Sequence, residues 1–332
     1  MKEYSFANTL FDDDYSQILN SLLGKKEENG WIHVENERDK CFWIDVLGED
    51  IVNNYEFTMS SGTDSVDDGV RGKARFYAYL NSASKTHVFA IDSDFSLLTP
   101  DTHNINLSII YNKYILHTYG YGKESIINCA ENLNACLTKY KRTYNNSYCY
   151  NKFFTRYSNE IYKALLTYIF SMSYNSNRIT RQEFYTAIKI NTAAFFSSTS
   201  TEWDKTIKRI RAFNDKYDLS SHDDYPGFIK IAASFGLSNK TAYQFIDCHH
   251  LENAIVTPID KQIRKNLINN ALLEYKKTVT NGESVKQKFT ELTNHFDECL
   301  KLDTLRNNLC QYKENSIFKL IEKQKENLVQ LH

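Results

Sequence analysis

Three carboxylates, Glu35, Asp92 and Asp94, stand where short apolar stretches end. Glu35 follows Trp31-Ile32-His33-Val34, and the aspartates follow Thr86–Ile91 in the order Ile91-Asp92-Ser93-Asp94-Phe95. Both stretches read as strands. In an open parallel sheet, ligands sit outside the carboxyl ends of the strands. Two strand ends can therefore aim carboxylates into one crevice, although 57 residues separate Glu35 from Asp92. Carboxylates gathered this way repel one another and call for a cation, and hard oxygen donors suit Mg²⁺ or Mn²⁺. Such an ion polarises a phosphoryl oxygen, lowers the pKa of a bound water and stabilises a leaving oxygen. Asp92 and Asp94 flank a single residue, so in an extended chain they point the same way, as a metal clamp. The competing reading makes all three solvated turn residues or helix caps.

Other residues have chemistry of their own. Arg71, Lys73 and Arg75 follow Gly69 and Gly72. They suit a scissile phosphate, since Arg and Lys donate strongly to phosphate oxygens; the alternative is a solvated helix start. GVRGKA is too short and wrongly spaced for a nucleotide-binding P-loop. Lys205, Lys208, Arg209 and Lys216 share one helix with Trp203 and Phe213. Basic residues interleaved with aromatics suit single-stranded RNA, and the alternative is an amphipathic helix with a solvated basic face. His33 lies inside a strand and is expected to pack. Asp39 and Lys40 open a helix, Asp39 as a cap or as the residue that orders Glu35. Cys248-His249-His250-Leu251-Glu252 offers thiol and imidazole ligands, but neighbouring residues on a helix diverge by about 100°. A buried contact between His250 and Glu252, or a contact to the crevice at the strand ends, is expected there rather than zinc. No Ser-His-Asp or Cys-His nucleophile arrangement is recognisable.

The elements that must position these residues change character along the chain. A leading helix over 7–29 carries Ile18, Leu19, Leu22 and Leu23 on one face. Strands are expected at 31–34, 55–59, 86–91 and, more weakly, 114–117. Helices are expected at 39–47, at 73–80 and from Lys123 into the 130s. Strand alternating with helix is the rhythm of a parallel α/β sheet. Beyond about 140 the segments 153–172, 181–196, 202–216, 227–234, 239–255, 258–278, 284–298 and 302–329 all favour helix. Thr201 and Asp204 suit a capping box for the third of these.

Bulk properties narrow the class. The chain has 332 residues, 42% hydrophobic and 24% charged, with 11 Gly and 3 Pro, as expected of a globular, mostly helical protein. Mean hydropathy is −0.53. No apolar run approaches the roughly 20 residues that cross a bilayer, and Met1-Lys2-Glu3-Tyr4 has no apolar signal core. A cytoplasmic protein without membrane attachment is the expectation. Seven cysteines occur without a CxxC pair, so reduced thiols are expected and a standard structural zinc site is not. The net charge of −1 hides an asymmetry. Residues 1–100 hold 9 Lys/Arg against 18 Asp/Glu, and residues 141–230 hold 14 against 8. An acidic region binds cations, while a basic one binds polyanions.

The placement of Glu35 after one strand and Asp92-Ser93-Asp94 after another resembles the Toprim fold of topoisomerases, primases and overcoming-lysogenization-defect nucleases. The blocks HVENERDKCFW, FAIDSDFSLL and ILHTYGYGKESIIN further resemble a bacterial family of Toprim proteins linked to phage defence. Its best-known members are the effector nucleases of PARIS-type systems, which work with an ABC-type ATPase. The resemblance spans roughly residues 30–140. It implies metal-dependent cleavage of nucleic acid, with RNA such as tRNA, or DNA, as substrate. It also implies an ATPase partner that holds the effector in check and self-association, as a homodimer, on release. In the fourth block it places an acidic residue near the site, matched by Glu124; the usual spelling is nearer Glu-Asn, where this chain has Glu124-Ser125, and a helix cap is the alternative. With no zinc ribbon in view, topoisomerase and primase are disfavoured. The rival readings are a DNA nickase and a catalytically idle subunit that docks on an ATPase.

The expected architecture is α/β: an N-terminal helix over 1–29, a Toprim-like parallel sheet flanked by helices over 30–140, and a mostly α-helical domain over 141–332. Glu35, Asp92 and Asp94 are the expected catalytic and metal-binding residues, joined by Glu124 at the metal. Lys73 and Arg71 are expected at substrate phosphate, and Lys205, Lys208 and Arg209 on the nucleic acid.

Overall fold

The structure, a computed structural model, describes residues 30–59, 79–100, 110–141, 148–173, 179–197, 201–279 and 282–329, together with Ile18 and Leu22. By packing, the chain divides into two compact units, residues 1–123 with 317–332, and residues 124–316. The change of character expected near 140 falls inside the second unit, and the last helix belongs to the first.

The first unit is built on a four-stranded, all-parallel sheet in the order β2-β1-β3-β4, with β1 Gly30–Val34, β2 Tyr55–Met59, β3 His87–Ile91 and β4 Ile115–His117. The register pairs Ile32 with Phe57 and Val88, and Ala90 with Leu116. Strands β3 and β4 are buried along their whole length, as strands of a parallel sheet covered on both faces must be. Helix α1, Glu37–Leu47, contributes Phe42, Trp43, Val46 and Leu47 to the buried core, and the short helix α2, Glu49–Val52, contributes Ile51.

A helix from the far end of the chain closes the edge of this sheet. In it Gln324 is buried; its amide Nε2 donates to the carbonyl of Ile115 at 2.6 Å and its Oε1 accepts from the N–H of His117 at 2.9 Å. One side chain thus substitutes for a fifth strand and satisfies backbone groups that an open edge would leave exposed. The next residue, Lys325, donates to the carbonyl of Val46 at 3.1 Å, in the last turn of α1 where carbonyls lack helical partners.

The second unit is helical. Its helices are α3 Lys123–Ile127 (which starts one residue inside the first unit), α4 Ala130–Lys141, α5 Tyr150–Ser173, α6 Arg181–Ile188, α7 Ala193–Phe196, α8 Thr201–Lys216, α9 Tyr225–Ser234, α10 Thr257–Thr278, α11 Gly282–Asn294 and α12 Leu302–Asn308. The closing helix of the first unit is α13, Ser316–Val329. The core of the second unit forms around α5, which buries Phe153, Phe154, Tyr157, Ile161 and Leu165. Phe154 stacks on Tyr243 with ring centroids 4.1 Å apart. No helix among the described residues is long and apolar enough to cross a membrane.

Several expected helices are broken, and side chains satisfy the breaks. The helix expected from Lys123 into the 130s is two, α3 and α4. Asn132 Nδ2 donates to the carbonyl of Ile127 at the end of α3, and the Tyr243 hydroxyl accepts the N–H of Ala130 at the start of α4. The segment 302–329 is interrupted by extended backbone at Leu309 and Asn315. Asn315 there pairs with Gln244 at 3.1 Å and with Glu131 at 3.0 Å. Over 239–255 only a 3₁₀ turn at Ala242–Phe245 precedes a break at Asp247, whose carboxylate accepts from the His250 N–H at 3.0 Å. Cys248–His250 then runs through a π-helical turn, Leu251–Val256, into α10. The expected helix at 181–196 ends at Ile188 and resumes at Ala193, and Thr201 lies within α8. The expected helix at 73–80 lies outside the described residues up to 78, and Leu80 starts a 3₁₀ turn to Ser82. The leading helix over 7–29 likewise lies outside them, save for Ile18 and Leu22, both helical.

His33 packs, as expected. Its Nε2 lies 3.1 Å from Nδ1 of His87, and its ring stacks on Phe89 at 4.7 Å. Burial, then the neighbouring His87, lowers its pKa from 6.5 to about 3. Between those values the unfolded chain binds a proton that the folded chain does not. The stability from this group is therefore complete above the unfolded value and falls as pH drops towards 3. Lowering pH from about 7.5 to about 5 should cost about 2 kcal/mol through this residue, read as a fall in the urea midpoint. His33→Phe should flatten that dependence, and an unchanged dependence would exclude His33 as its source.

Candidate functional site

Strands β1 and β3 are neighbours and run parallel, so their carboxyl ends share one edge. From β1 the chain goes on to β2 on one side, and from β3 to β4 on the other. Adjacent strands that depart in opposite directions leave a crevice at their carboxyl ends, the place where open α/β sheets bind ligands. Val34 pairs with Ala90, so Glu35 emerges beside Ile91, one residue before Asp92. The Asp92 N–H donates to Glu35 Oε1 at 3.3 Å. Glu35 and Asp92 are thereby brought together.

Glu35 is held by a strand that turns into a helix within two residues. Asn36 is the N-cap of α1, with extended backbone, and its Oδ1 accepts from the Arg38 N–H at 2.9 Å. Asp39 completes a capping box, accepting from the Asn36 N–H at 3.1 Å and from Asn36 Nδ2 at 2.7 Å. A reciprocal cap satisfies N–H groups at the start of the helix, beginning with the residue directly after Glu35. Of the two expected roles for Asp39, capping and ordering Glu35, the structure shows the first.

The loop after β3 is laced to the loop after β4. The Ser93 N–H donates to Thr118 Oγ1 at 3.0 Å, Ser93 Oγ accepts from the Tyr119 N–H at 2.8 Å, and the Asp94 N–H donates to the Tyr121 carbonyl at 2.6 Å. Asp94 takes a left-handed φ of 46°, a conformation Asp tolerates better than most residues. The chain from Asp92 to Asp94 is therefore not extended, and the argument that both carboxylates must point one way does not hold.

Two residues that sequence reasoning passed over complete the surroundings. The Lys123 N–H donates to Asp92 Oδ1 at 2.9 Å, while its ammonium pairs with the Asp39 carboxylate. The side chains of that pair are only 10% and 7% exposed. One lysine thus orients Asp92 through its backbone and steadies the cap beside Glu35 through its side chain. Gly122 packs closely here: a Cβ on it would lie 3.0 Å from Asp92 Oδ2, so Asp92 would have to shift by a few tenths of an ångström. The run Gly120-Tyr121-Gly122-Lys123, two glycines and a lysine two residues beyond a strand, was the available signal.

The donors at the crevice are hard oxygens, and they fit a Mg²⁺ ion in kind. That ion characteristically takes one or two carboxylates and completes its shell with water and substrate phosphate. Among the described residues no three His, Cys, Asp or Glu side chains are grouped as a metal cage. Arg71 and Lys73 lie outside the described residues. Glu124 stands in the first turn of α3, in the second unit.

Helix α8 takes the amphipathic form of the two readings weighed for it. Trp203 and Phe213 are buried, so the aromatics between its basic residues are core and offer no base a stacking surface. Lys205 pairs with Glu202 at 2.6 Å, Lys216 with Glu183 at 2.9 Å, and Arg209 donates to the Lys189 carbonyl and to Thr206 Oγ1. Lys208 is exposed. The expected contact of His250 with Glu252 is replaced as well. Glu252 pairs with Arg306 at 2.7 Å, and the His250 ring lies 4.5 Å from that of Tyr185. No protein-family model, curated protein or solved structure matches the chain.

Proposed function

We propose that this chain is a divalent-metal-dependent nuclease. The observation that carries the proposal is the meeting of Glu35 and Asp92 at the switch point of a four-stranded parallel sheet. The resemblance of residues 30–140 to Toprim nucleases of phage defence names the substrate class, RNA such as tRNA, with DNA as the alternative. Glu35 and Asp92, joined by Asp94, would hold Mg²⁺ or Mn²⁺. The ion would supply charge stabilisation at a phosphodiester and a more acidic water. The Lys123 N–H donates to Asp92 Oδ1, and the Asn36–Asp39 cap stands directly after Glu35. Lys73 and Arg71 would receive substrate phosphate, and an ABC-type ATPase would restrain the effector.

The test is incubation of the full chain with tRNA, single-stranded RNA and plasmid DNA, in Mg²⁺, in Mn²⁺ and in EDTA, beside a Glu35→Ala control. Cleavage that needs both metal and Glu35 supports the reading. Activity unaffected by Glu35→Ala rejects it. Absence of cleavage in the free chain and in the chain co-purified with an ATPase partner rejects it in favour of a docking subunit.

A further inference from the structure

Thr118 directly follows β4 and is fully buried, so it meets no substrate. Nothing in the sequence marks it, but its hydrogen bonds do. Its N–H donates to the Ile91 carbonyl at 3.3 Å, one bond beyond the last β3–β4 pair, Ile91 with His117. Its Oγ1 accepts from the Ser93 N–H at 3.0 Å. Ile91 and Ser93 are the chain neighbours of Asp92. The Ile91 carbonyl belongs to the peptide group that enters Asp92, and the Ser93 N–H to the one that leaves it. One buried side chain and its own backbone thus grip both peptide groups around Asp92. Peptide groups are planar, so two held planes leave φ and ψ between them little freedom. The direction of the Asp92 Cα–Cβ bond is set in this way.

The grip is reciprocal. The Tyr119 N–H donates to Ser93 Oγ at 2.8 Å, so each loop accepts a backbone N–H of the other on a side-chain oxygen. Ser96 Oγ donates to the Ser93 carbonyl at 2.6 Å. Among the described residues, Asp94 and Tyr119 are the non-glycine residues with a left-handed backbone, at φ 46° and 58°. They flank this exchange, one on each loop. A bulky residue is strained there, and such strain persists only where the surroundings over-determine the conformation. Removing Thr118 Oγ1 would take an acceptor from the buried Ser93 N–H, a loss that a buried donor answers by shifting. The peptide plane after Asp92 would turn, and the carboxylate with it.

We infer that Thr118 is a positioning residue for the metal site. It touches neither ion nor substrate and acts by holding Asp92 in the orientation that ligates a divalent cation. The inference rests on the reading of Glu35 and Asp92 as metal ligands. The test is isothermal titration of the full chain with Mn²⁺, beside urea midpoints. Thr118→Val keeps the shape and loses the acceptor, while Thr118→Ser keeps the acceptor and loses a methyl. Thr99→Val makes the same change in the loop after β3, at a buried hydroxyl that donates to the Phe95 carbonyl at 2.9 Å and does not touch a neighbour of Asp92. Thr118→Val should bind Mn²⁺ about 10- to 100-fold more weakly, the range for residues that orient metal ligands. Thr118→Ser should restore most of that affinity. Thr99→Val should lower the urea midpoint and leave Mn²⁺ affinity unchanged. On nucleic acid at saturating Mn²⁺, Thr118→Val should lower kcat and leave KM unchanged. Unchanged Mn²⁺ affinity in Thr118→Val would overturn the inference. So would equal weakening in Thr99→Val, the mark of general loosening, or in Thr118→Ser, the mark of methyl packing. For a Thr118→Val chain that does not fold, Ser93→Ala takes its place. Loss of the acceptor for the Tyr119 N–H should then weaken Mn²⁺ binding about tenfold, and unchanged affinity overturns the inference. A chain that binds Mn²⁺ in a Thr118-dependent way yet cuts nothing supports Thr118 and rejects the nuclease reading. A chain that cuts, with wild-type Mn²⁺ affinity in Thr118→Val, rejects Thr118 alone. A wild type that neither binds Mn²⁺ nor cuts rejects both.

Discussion

Asp92→Asn should reduce metal-dependent cleavage by at least about a hundredfold while the chain stays folded. The substitution keeps the size of the side chain and keeps an Oδ1 that accepts from the Lys123 N–H. The backbone N–H that donates to Glu35 is untouched. What is lost is one unit of negative charge at the crevice, and a neutral amide is a poorer ligand for a hard divalent ion. An ion that supplies several kcal/mol of transition-state stabilisation, with about 1.4 kcal/mol for each factor of ten, sets the size of the loss. Relief of repulsion between neighbouring carboxylates should leave thermal stability without metal equal or slightly raised. Isothermal titration with Mn²⁺ should show weaker binding in the same variant. Lys208→Ala should leave metal binding intact and change only the salt dependence of substrate binding. Wild-type cleavage in Asp92→Asn, or an unfolded variant, would make these carboxylates structural.

The sheet was legible because parallel strands leave a strong trace. His87–Ile91 is apolar at four of its five positions and buried at all of them, and the residue after such a run is marked by its position alone. Glu35 and Asp92 could be named for that reason. The backbone at Asp94 was not legible as extended or otherwise, because a left-handed residue in a loop follows from the surrounding hydrogen bonds to Thr118–Tyr121 and not from any local pattern. Gln324 was invisible: its role depends on a sheet edge more than 200 residues away in sequence. The helix breaks at Asn128–Cys129 and Asn315 were missed for the same reason, since the side chains that satisfy them come from distant segments. On α8 the basic–aromatic pattern was real, but its aromatic half is the buried stripe of an amphipathic helix. Sequence order does not reveal which face is covered.

Lys123→Met should destabilise the fold by about 3–5 kcal/mol, far more than loss of an exposed ion pair. The reason is what the substitution leaves behind. Asp39 is buried, and its carboxylate pairs with the Lys123 ammonium while capping α1 through Asn36. With the ammonium gone, a buried anion keeps its desolvation cost and loses its counter-charge. Asp39→Asn in the Lys123→Met background should recover much of that loss, because a neutral amide still offers an oxygen to the Asn36 N–H and no longer needs a cation. The guanidinium chloride midpoints of wild type, the two single variants and the double variant form a cycle whose coupling term isolates the pair. Lys277→Ala, at a surface pair with Glu274, should change stability by less than about 1 kcal/mol. The cycle also separates the two jobs of Lys123, since methionine retains the backbone N–H that orients Asp92. If the pair serves only the fold, the double variant should bind Mn²⁺ as tightly as wild type. If the cap also positions Glu35, the double variant should be stable yet bind the ion less tightly. A Lys123→Met variant as stable as wild type would show that the ammonium contributes nothing to holding Asp39 in its buried place.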